Sequence, residues 1–288
     1  MNHTSQEAGL PLVSVIVPTK NSAKTIGDCL ESIKHQTYPR CEIIVVDNYS
    51  TDETRKIAGE YTSTVLVSGP ERSSQVRLGF NHSRGDFIYK VDADFVLDRN
   101  VIEKAVEAAT HEDAVAVVIP NLSDPTISFW ARVRYYERLT YLGSNLIEAA
   151  RFYRRDTYQK AGGHSTDLVA YEEHDVHNRV SQYGRVTRIS GAAEWHIGEP
   201  RKLSDVVRTH WYYGKSVYAY VKRNPSRAPL QIIPVRKSFF TEQRLLLRVP
   251  GVFLGLLFYQ MVRYLSALFG LLTTLSWEDV DRARTRSH

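Results

Sequence analysis

Asp92-Ala93-Asp94 sets two carboxylates one residue apart at the end of an apolar run, Phe87-Ile88-Tyr89-Lys90-Val91. Carboxylates emerging together from a buried strand can share a hard divalent cation, which prefers oxygen ligands and bridges phosphate oxygens. On its own the triplet reads more readily as a solvated acidic turn, so its company decides. Pro18-Thr19 and Asp47 also close apolar runs upstream. Downstream, Tyr171-Glu172-Glu173-His174-Asp175 is dense in ionisable groups and leads into a helix through Val176 and Val180. Carboxylates in such a position can serve as a general base.

The elements that must position these groups follow from periodicity. Leu12 to Val17 reads as a buried strand stopped by Pro18. A helix follows with Ser22 as N-cap and Ile26, Cys29, Leu30 and Ile33 on one face. Glu42 to Val46 is the next strand, and Ser50-Thr51-Asp52-Glu53 fits a capping box that opens a second helix. Val65 to Val67 and Phe87 to Val91 are further strands. Asp98 then caps a helix with Val101, Ile102, Ala105, Val106 and Ala109 inward, before a strand over Ala114 to Ile119. Near-continuous apolar strands separated by helices imply an α/β fold with a mostly parallel sheet covered on both faces. In such sheets ligands bind beyond the carboxyl ends of the strands, where Pro18-Thr19, Asp47 and Asp92-Ala93-Asp94 all lie. No Gly-x-Gly-x-x-Gly or Walker loop occupies that crevice, which disfavours a dinucleotide or P-loop site.

Ile127 to Leu146 is aromatic and helix-compatible, with Phe129, Trp130, Val133, Tyr136 and Leu139 able to pack as one face. Ala161-Gly162-Gly163-His164 is a turn signal. Ser204-Asp205 starts another helix, with Val207, Trp211, Tyr218 and Val221 near one face. The formal net charge of +5 hides an asymmetry: residues 1–200 carry 22 basic and 27 acidic side chains, and residues 201–248 carry 11 and 2. A basic block of this kind attracts phosphates of nucleic acid or of anionic lipid. Pro225, Pro229, Pro234 and Pro250 punctuate it. The apolar stretch that follows, Val249 to Leu275, favours lipid, and the acidic crevice speaks against nucleic acid. That stretch is long enough to span a bilayer, but Arg263 near its middle would cost about 2.5–3.5 kcal/mol on insertion scales. Two short interfacial helices fit it better, and a dimer interface could use the same surface. Cys29 and Cys41 suggest neither a disulfide framework nor a thiolate zinc site. Met1 to Gly9 is polar and lacks the pattern of a signal peptide, which points to the cytosolic side.

Taken together, Val13-Ser14-Val15-Ile16-Val17-Pro18-Thr19-Lys20-Asn21, the block Gln36 to Thr54 around Val45-Val46-Asp47-Asn48, Arg77-Leu78-Gly79-Phe80, Gly85-Asp86-Phe87, Asp92-Ala93-Asp94 and Ala161-Gly162-Gly163-His164 with Glu172-Glu173-His174-Asp175 resemble the family 2 glycosyltransferases of GT-A fold. The blocks stand in the family's order over residues 12 to about 200. The resemblance implies that Pro18, Thr19, Asn21, Asp47, Arg77, Asp92 and Ala93 line the nucleotide. It implies that Asp94, with Asp92 and His196, holds Mg²⁺ or Mn²⁺. It places Glu173 where the family has its general base, an Asp, with Glu172 and Asp175 as alternatives. The alternative use of these acids is to cap a helix and pair with Arg179.

The expectation is a polar tail (1–10), a GT-A catalytic domain (11–200), a basic helical extension (201–248), an apolar membrane-associating segment (249–276) and a polar tail (277–288). The function expected is metal-dependent, inverting transfer from a nucleotide-diphosphate sugar to a hydroxyl of a lipid-linked, polyprenyl-type acceptor at the cytosolic membrane face. Transfer to a polyprenyl phosphate, a nucleotidyltransferase, and a binding module without catalysis are the alternatives.

Overall fold

A computed structural model describes residues 9–168, 170–233 and 242–285. The polar tail over 1–8, Pro234 with the rest of 234–241, and residues 286–288 lie outside the described residues. In chain order the elements are β1 (Val13–Thr19), α1 (Ile26–Lys34), β2 (Cys41–Asp47), α2 (Thr54–Gly59), β3 (Val65–Val67), α3 (Arg72–His82), β4 (Phe87–Lys90), β5 (Phe95–Leu97), α4 (Val101–His111), β6 (Ala116–Val118), β7 (Asn121–Ser123), α5 (Phe129–Tyr141), β8 (Phe152–Arg154), α6 (Arg155–Lys160), α7 (Glu172–Val180), β9 (Val186–Arg188), β10 (Glu194–His196), α8 (Leu203–Gly214), α9 (Val217–Arg223), α10 (Ala228–Gln231), α11 (Gln243–Leu247) and α12 (Pro250–Thr285). They form two compact units: Met1–Leu122, Leu142–Asp167 and Glu172–Gly198 in the first, Ser123–Tyr141, Leu168–Tyr171 and Glu199–His288 in the second.

The first unit is built on a sheet of order β3-β2-β1-β4-β8-β6-β9. Its pairings are parallel except those of β8, which runs antiparallel to β4 and β6. Side chains alternate between the two faces of a strand. Phe87, Tyr89 and Val91 accordingly join the core under α1 and α4, with Ile26, Leu30, Val101 and Ala105. Ile88 turns the other way, to Ile16, Ile44, Val46 and the α3 residues Leu78 and Phe80. The same parity sends Lys90 to the α3 face. α3 itself is polar and carries no helical apolar periodicity in the sequence. It lies close to β1 because Gly79 has no side chain, a Cβ there falling 2.5 Å from Ile16 Cγ2.

Several local expectations change. β1 runs through Pro18 to Thr19. Its pairing with β4 ends at Ile16, so the missing N–H of Pro18 costs no ladder bond on that side. The inward face of α1 is as read, but the helix begins at Ile26 with no side-chain cap. Ser50 does not close a capping box. Its Oγ accepts from Asn21 N, and Asp52 Oδ1 accepts from Thr54 N instead. Asp98 does not cap α4 with its side chain, which accepts from Ala193 N at 2.9 Å and Trp195 Nε1 at 3.0 Å. A second, small sheet of order β5-β10-β7, made of three-residue strands, has no legible periodicity in the sequence.

In the second unit, α12 packs with α5 and α8 around Val133, Val206, Leu246, Val252, Leu256 and Tyr259. One continuous helix replaces the two short ones expected over 249–275. Gly270 of α12 and Gly214 of α8 serve close approach of the two helices: a Cβ on Gly270 would lie 2.0 Å from Trp211 O, and one on Gly214 would lie 2.1 Å from Ala267 O. Arg263 is accommodated by Glu137, which accepts from Arg263 at 3.0 Å and from Gln260 Nε2 at 2.9 Å and also pairs with Arg134. The inward residue of α8 is Val206, not Val207, which is 45 % exposed, and Tyr218 lies on the separate α9. Leu254, Leu257, Phe258, Met261, Leu265, Leu268, Phe269 and Leu272 form an exposed apolar stripe along the outer face of α12.

Candidate active site

Parallel pairing sets Thr19, the last residue of β1, opposite Asp47, the last of β2. The Asp47 side chain is fully buried. Its Oδ2 accepts from Ser50 N at 2.8 Å and stands 3.8 Å from Arg55 Nε. Asp47 Oδ1 and Thr19 Oγ1 are buried with no hydrogen-bond partner among the described residues. Buried polar atoms are ordinarily satisfied by a partner, and these two stand at adjacent strand ends without one among the described residues. Asn21, at φ 48°, ties the two strand-end loops: its N donates to Ser50 Oγ at 2.8 Å, and its Oδ1 accepts from Thr51 N at 2.9 Å. Pro18 is buried within β1, and Ala93 is buried between the two aspartates.

The small sheet places the cation-binding candidates. β10 runs antiparallel to β5 with His196 opposite Phe95, and Ile197 N donates to Asp94 O at 2.9 Å. His196 Nε2 thereby comes within 3.0 Å of Asp94 Oδ2, and both side chains are partly exposed. Burial opposes ionisation of Asp94, but the adjacent His196 outweighs it and holds the carboxyl below its ordinary range. Gly198 makes the approach feasible, since a Cβ there would sit 2.1 Å from Asp94 Oδ2.

Asp92 faces differently. Both its oxygens contact Lys90 Nζ, at 2.8 and 2.9 Å, with Arg72 at 3.5 Å and Arg151 at 3.8 Å. Burial opposes its ionisation, yet these cations, Lys90 foremost, hold it far below the carboxylate range. Lys90 also binds Glu173 Oε1. Glu173 is likewise held well below its ordinary pKa, Lys90 overcoming the effect of burial. Its neighbour Glu172 is 2 % exposed, with Arg72 NH1 3.3 Å from Oε1. Burial, then the negative charge of Glu173, pushes Glu172 up to about 7. Asp175 is fully buried on α7, accepting from Ser165 Oγ and Arg179 NH2, each at 2.7 Å. This is the helix-pairing use of the acidic motif. Gly162 and Gly163, at φ 81° and 62°, turn the backbone so that Gly163 O also meets Arg179. Deeper in, Glu194 accepts from Tyr89 OH and pairs with Arg151, both at 2.7 Å.

Of the residues expected from the sequence, the structure brings Asp92, Glu172 and Glu173 into one cluster, Asp94 and His196 into a second, and Thr19 and Asp47 into a third. Arg77 is exposed on α3, and the arginine of that helix which reaches the carboxylates is Arg72. Arg72, Lys90, Arg151 and Glu194 join these clusters without being expected from the sequence. Only Lys90 had a signal, a charge within an otherwise apolar strand. Among the described residues no group of three or more His, Cys, Asp or Glu gathers around a cation position. Asp94 and His196 present one carboxylate and one imidazole, donor types that divalent cations take, and are the residues that would hold such an ion.

Residues 14–170 match the profile described as Glycosyl transferase family 2, more than half of the 288-residue chain, and the chain belongs to that family. Glycosyltransferase GlyG of Streptococcus pneumoniae is 33% identical over 114 residues, 37% of this chain and 38% of that protein. The probable glycosyltransferase YdaM of Bacillus subtilis is 27% identical over 238 residues, 71% of this chain and 55% of that protein. The chain thus spans less than two thirds of the length of either relative. Among solved structures, mannosyltransferase PcManGT from Pyrobaculum calidifontis, in complex with GDP-Man and Mn²⁺, superposes with a TM-score of 0.65 at 19% identity, covering 93% of this chain and 88% of that one. S. aureus TarS 1-349 in complex with UDP-GlcNAc gives 0.51 at 20% identity, covering 72% and 66%. These likenesses establish a GT-A-like mixed sheet with flanking helices, which in this chain is followed by the long apolar C-terminal helix α12.

Proposed function

We propose that this protein is a nucleotide-sugar-dependent, inverting glycosyltransferase. The observation that carries the reading is the Asp94–His196 pair, 3.0 Å apart, together with the unpartnered acceptor on Asp47. Asp47 Oδ1 would accept an N–H of the nucleotide base, and Thr19 Oγ1 would complete that edge. Asp94 and His196 would hold Mg²⁺ or Mn²⁺. When bound, the ion offsets negative charge on the departing nucleoside diphosphate. Relatives solved with a nucleotide sugar, one of them with Mn²⁺, support this assignment.

Glu173 is the general base of the proposal. Reach precedes pKa in choosing a base, and Glu173 is the more accessible of the adjacent glutamates, its side chain 15% exposed against 3% for Glu172. Its carboxylate takes the proton of the acceptor hydroxyl as that oxygen attacks the anomeric carbon from the side opposite the leaving diphosphate. Within this cluster Lys90 and Glu172 are closed to solvent, while Asp92, Glu173, Arg72 and Arg151 stay partly exposed. The acceptor of the proposal is lipid-linked, of polyprenyl type. Its support is the exposed stripe of α12 and the basic block of 201–248, which suit the boundary of an anionic membrane. The polar network of Glu137, Arg134, Gln260 and Arg263 on the inner face of α12 favours side-on contact with lipid over a lone span.

Product analysis tests the reading. Incubation of UDP-GlcNAc or GDP-mannose with the protein and Mn²⁺ is expected to release a nucleoside diphosphate. Pyrophosphate would indicate a nucleotidyltransferase, and no release with any nucleotide sugar would favour a binding module. Glu173→Gln separates the acceptors: a hydroxyl acceptor requires a loss of roughly 10²–10⁴-fold, whereas an already ionised phosphate requires little base assistance.

A further inference from the structure

Lys90 is an ammonium where a strand core is expected. It lies on the last residue of β4, 1% exposed, on the face opposite Tyr89. Its backbone N donates to Arg151 O at 3.0 Å, which fixes the strand end. Its Nζ stands between both oxygens of Asp92 and Oε1 of Glu173. Among the described residues that ammonium is the one ion-pair and hydrogen-bond partner of Glu173. Asp92, by contrast, has Arg72 and Arg151 within 4 Å as well. Loss of Lys90 therefore leaves Asp92 with two guanidiniums within 4 Å and Glu173 with no hydrogen-bond or ion-pair partner among the described residues, the charges of Arg151 and Arg72 acting on it only from farther away.

We infer that Lys90 is a positioning residue: clamped by Asp92, it sets the aim of the Glu173 carboxylate toward the reacting hydroxyl. The inference rests on Glu173 being the general base. A lysine stem anchored in a closed core gives a fixed origin for the ammonium, and a charge-assisted hydrogen bond gives it a preferred direction. One cation thus couples the end of β4, which carries the donor-side aspartates, to the first turn of α7, which carries the base. Misplacement of a catalytic group by about 1 Å can cost roughly 10²-fold in rate.

Lys90→Met keeps the length and removes the charge. The assay is nucleoside diphosphate release from UDP-GlcNAc or GDP-mannose with Mn²⁺, water serving as acceptor, at a temperature where the variant is folded. The expected result is a fall in kcat of roughly 10²-fold with donor KM within about threefold of wild type. A kcat within about threefold of wild type would overturn the inference, since a buried counter-ion with a merely structural role lowers stability and leaves kcat in place. If Lys90→Met does not fold, Lys90→Gln, which retains an N–H donor, is expected to lose kcat to a smaller extent, and wild-type kcat in it overturns the inference equally. A crystal structure of either variant is independent of turnover: the Glu173 carboxylate is expected to leave its position, and its staying in place would refute the clamp. Glu173→Gln run in parallel separates the two levels. Full release in that variant removes the base assignment itself, whereas loss in it together with wild-type kcat in Lys90→Met removes only the role of Lys90.

Discussion

Asp94 Oδ2 and His196 Nε2 lie 3.0 Å apart although 102 residues separate them in the chain. The pairing of β5 with β10 brings them together, and Gly198 leaves room for the carboxylate. If this pair holds the cation, Asp94→Ala and His196→Ala each lose roughly 10²–10³-fold in turnover, on the scale of removing one transition-state charge stabiliser. Both should also lose Mn²⁺-dependent stabilisation by nucleoside diphosphate in a thermal melt. Gly198→Ala should show the same loss in milder form.

Asp47 and Thr19 are expected to act on nucleotide affinity and not on the chemical step. Asp47→Ala removes the buried acceptor and should weaken nucleoside diphosphate binding by about 1–3 kcal/mol, roughly 5- to 150-fold in Kd. Calorimetric titration checks this, with kcat at saturating donor expected to stay near wild type.

Glu172 gives a pH dependence of stability with a defined sign. Its pKa rises from an ordinary value of 4.5 to about 7 in the folded protein. Between these values the native state binds the proton more tightly than the unfolded chain, so the contribution of Glu172 to stability falls as pH rises through that window. Glu172→Gln removes the dependence. Its Tm relative to wild type is expected to be higher at pH 8 than at pH 5, by the equivalent of a few kcal/mol at most. Equal differences at both pH values would contradict the assignment. Glu173 and Asp92 run oppositely: their depressed pKa values give stability that is present above the unfolded range and lost as pH falls below it.

The outer face of α12 is expected to bind anionic lipid. Leu257→Glu with Leu265→Glu changes exposed positions only, 51% and 59% accessible. The pair should leave Tm nearly unchanged and abolish co-sedimentation with phosphatidylglycerol-containing vesicles. Retained vesicle binding, or conversion of a dimer to a monomer in sedimentation velocity, would assign that face elsewhere.

The sequence made some of this site legible and hid the rest for physical reasons. Strand ends at Thr19, Asp47 and Asp92 could be read because parallel strands are apolar runs that stop abruptly at polar residues. The inward faces of α1 and α4 followed from helical periodicity and stand as read. β5 and β10 are three residues long, too short for any period, so the sheet that joins Asp94 to His196 was invisible. Family resemblance alone pointed to His196. Arg72 and Arg151 could not be placed, because pairing across long separations leaves no local pattern. The continuous α12 departs from the two short helices expected for the opposite reason: Gly270 meets Trp211 of α8 and Arg263 meets Glu137, so neither interrupts the helix.

The most direct test of the account is a thermal melt of the wild type and of Asp94→Ala with UDP, GDP, UDP-GlcNAc and GDP-mannose, each with and without Mn²⁺. A ligand that binds only the native state raises the apparent Tm. The account requires a Tm increase with one nucleotide series that depends on Mn²⁺ in the wild type and disappears in Asp94→Ala. A Mn²⁺-dependent increase of the same size in Asp94→Ala, or none in the wild type with any nucleotide, would contradict it.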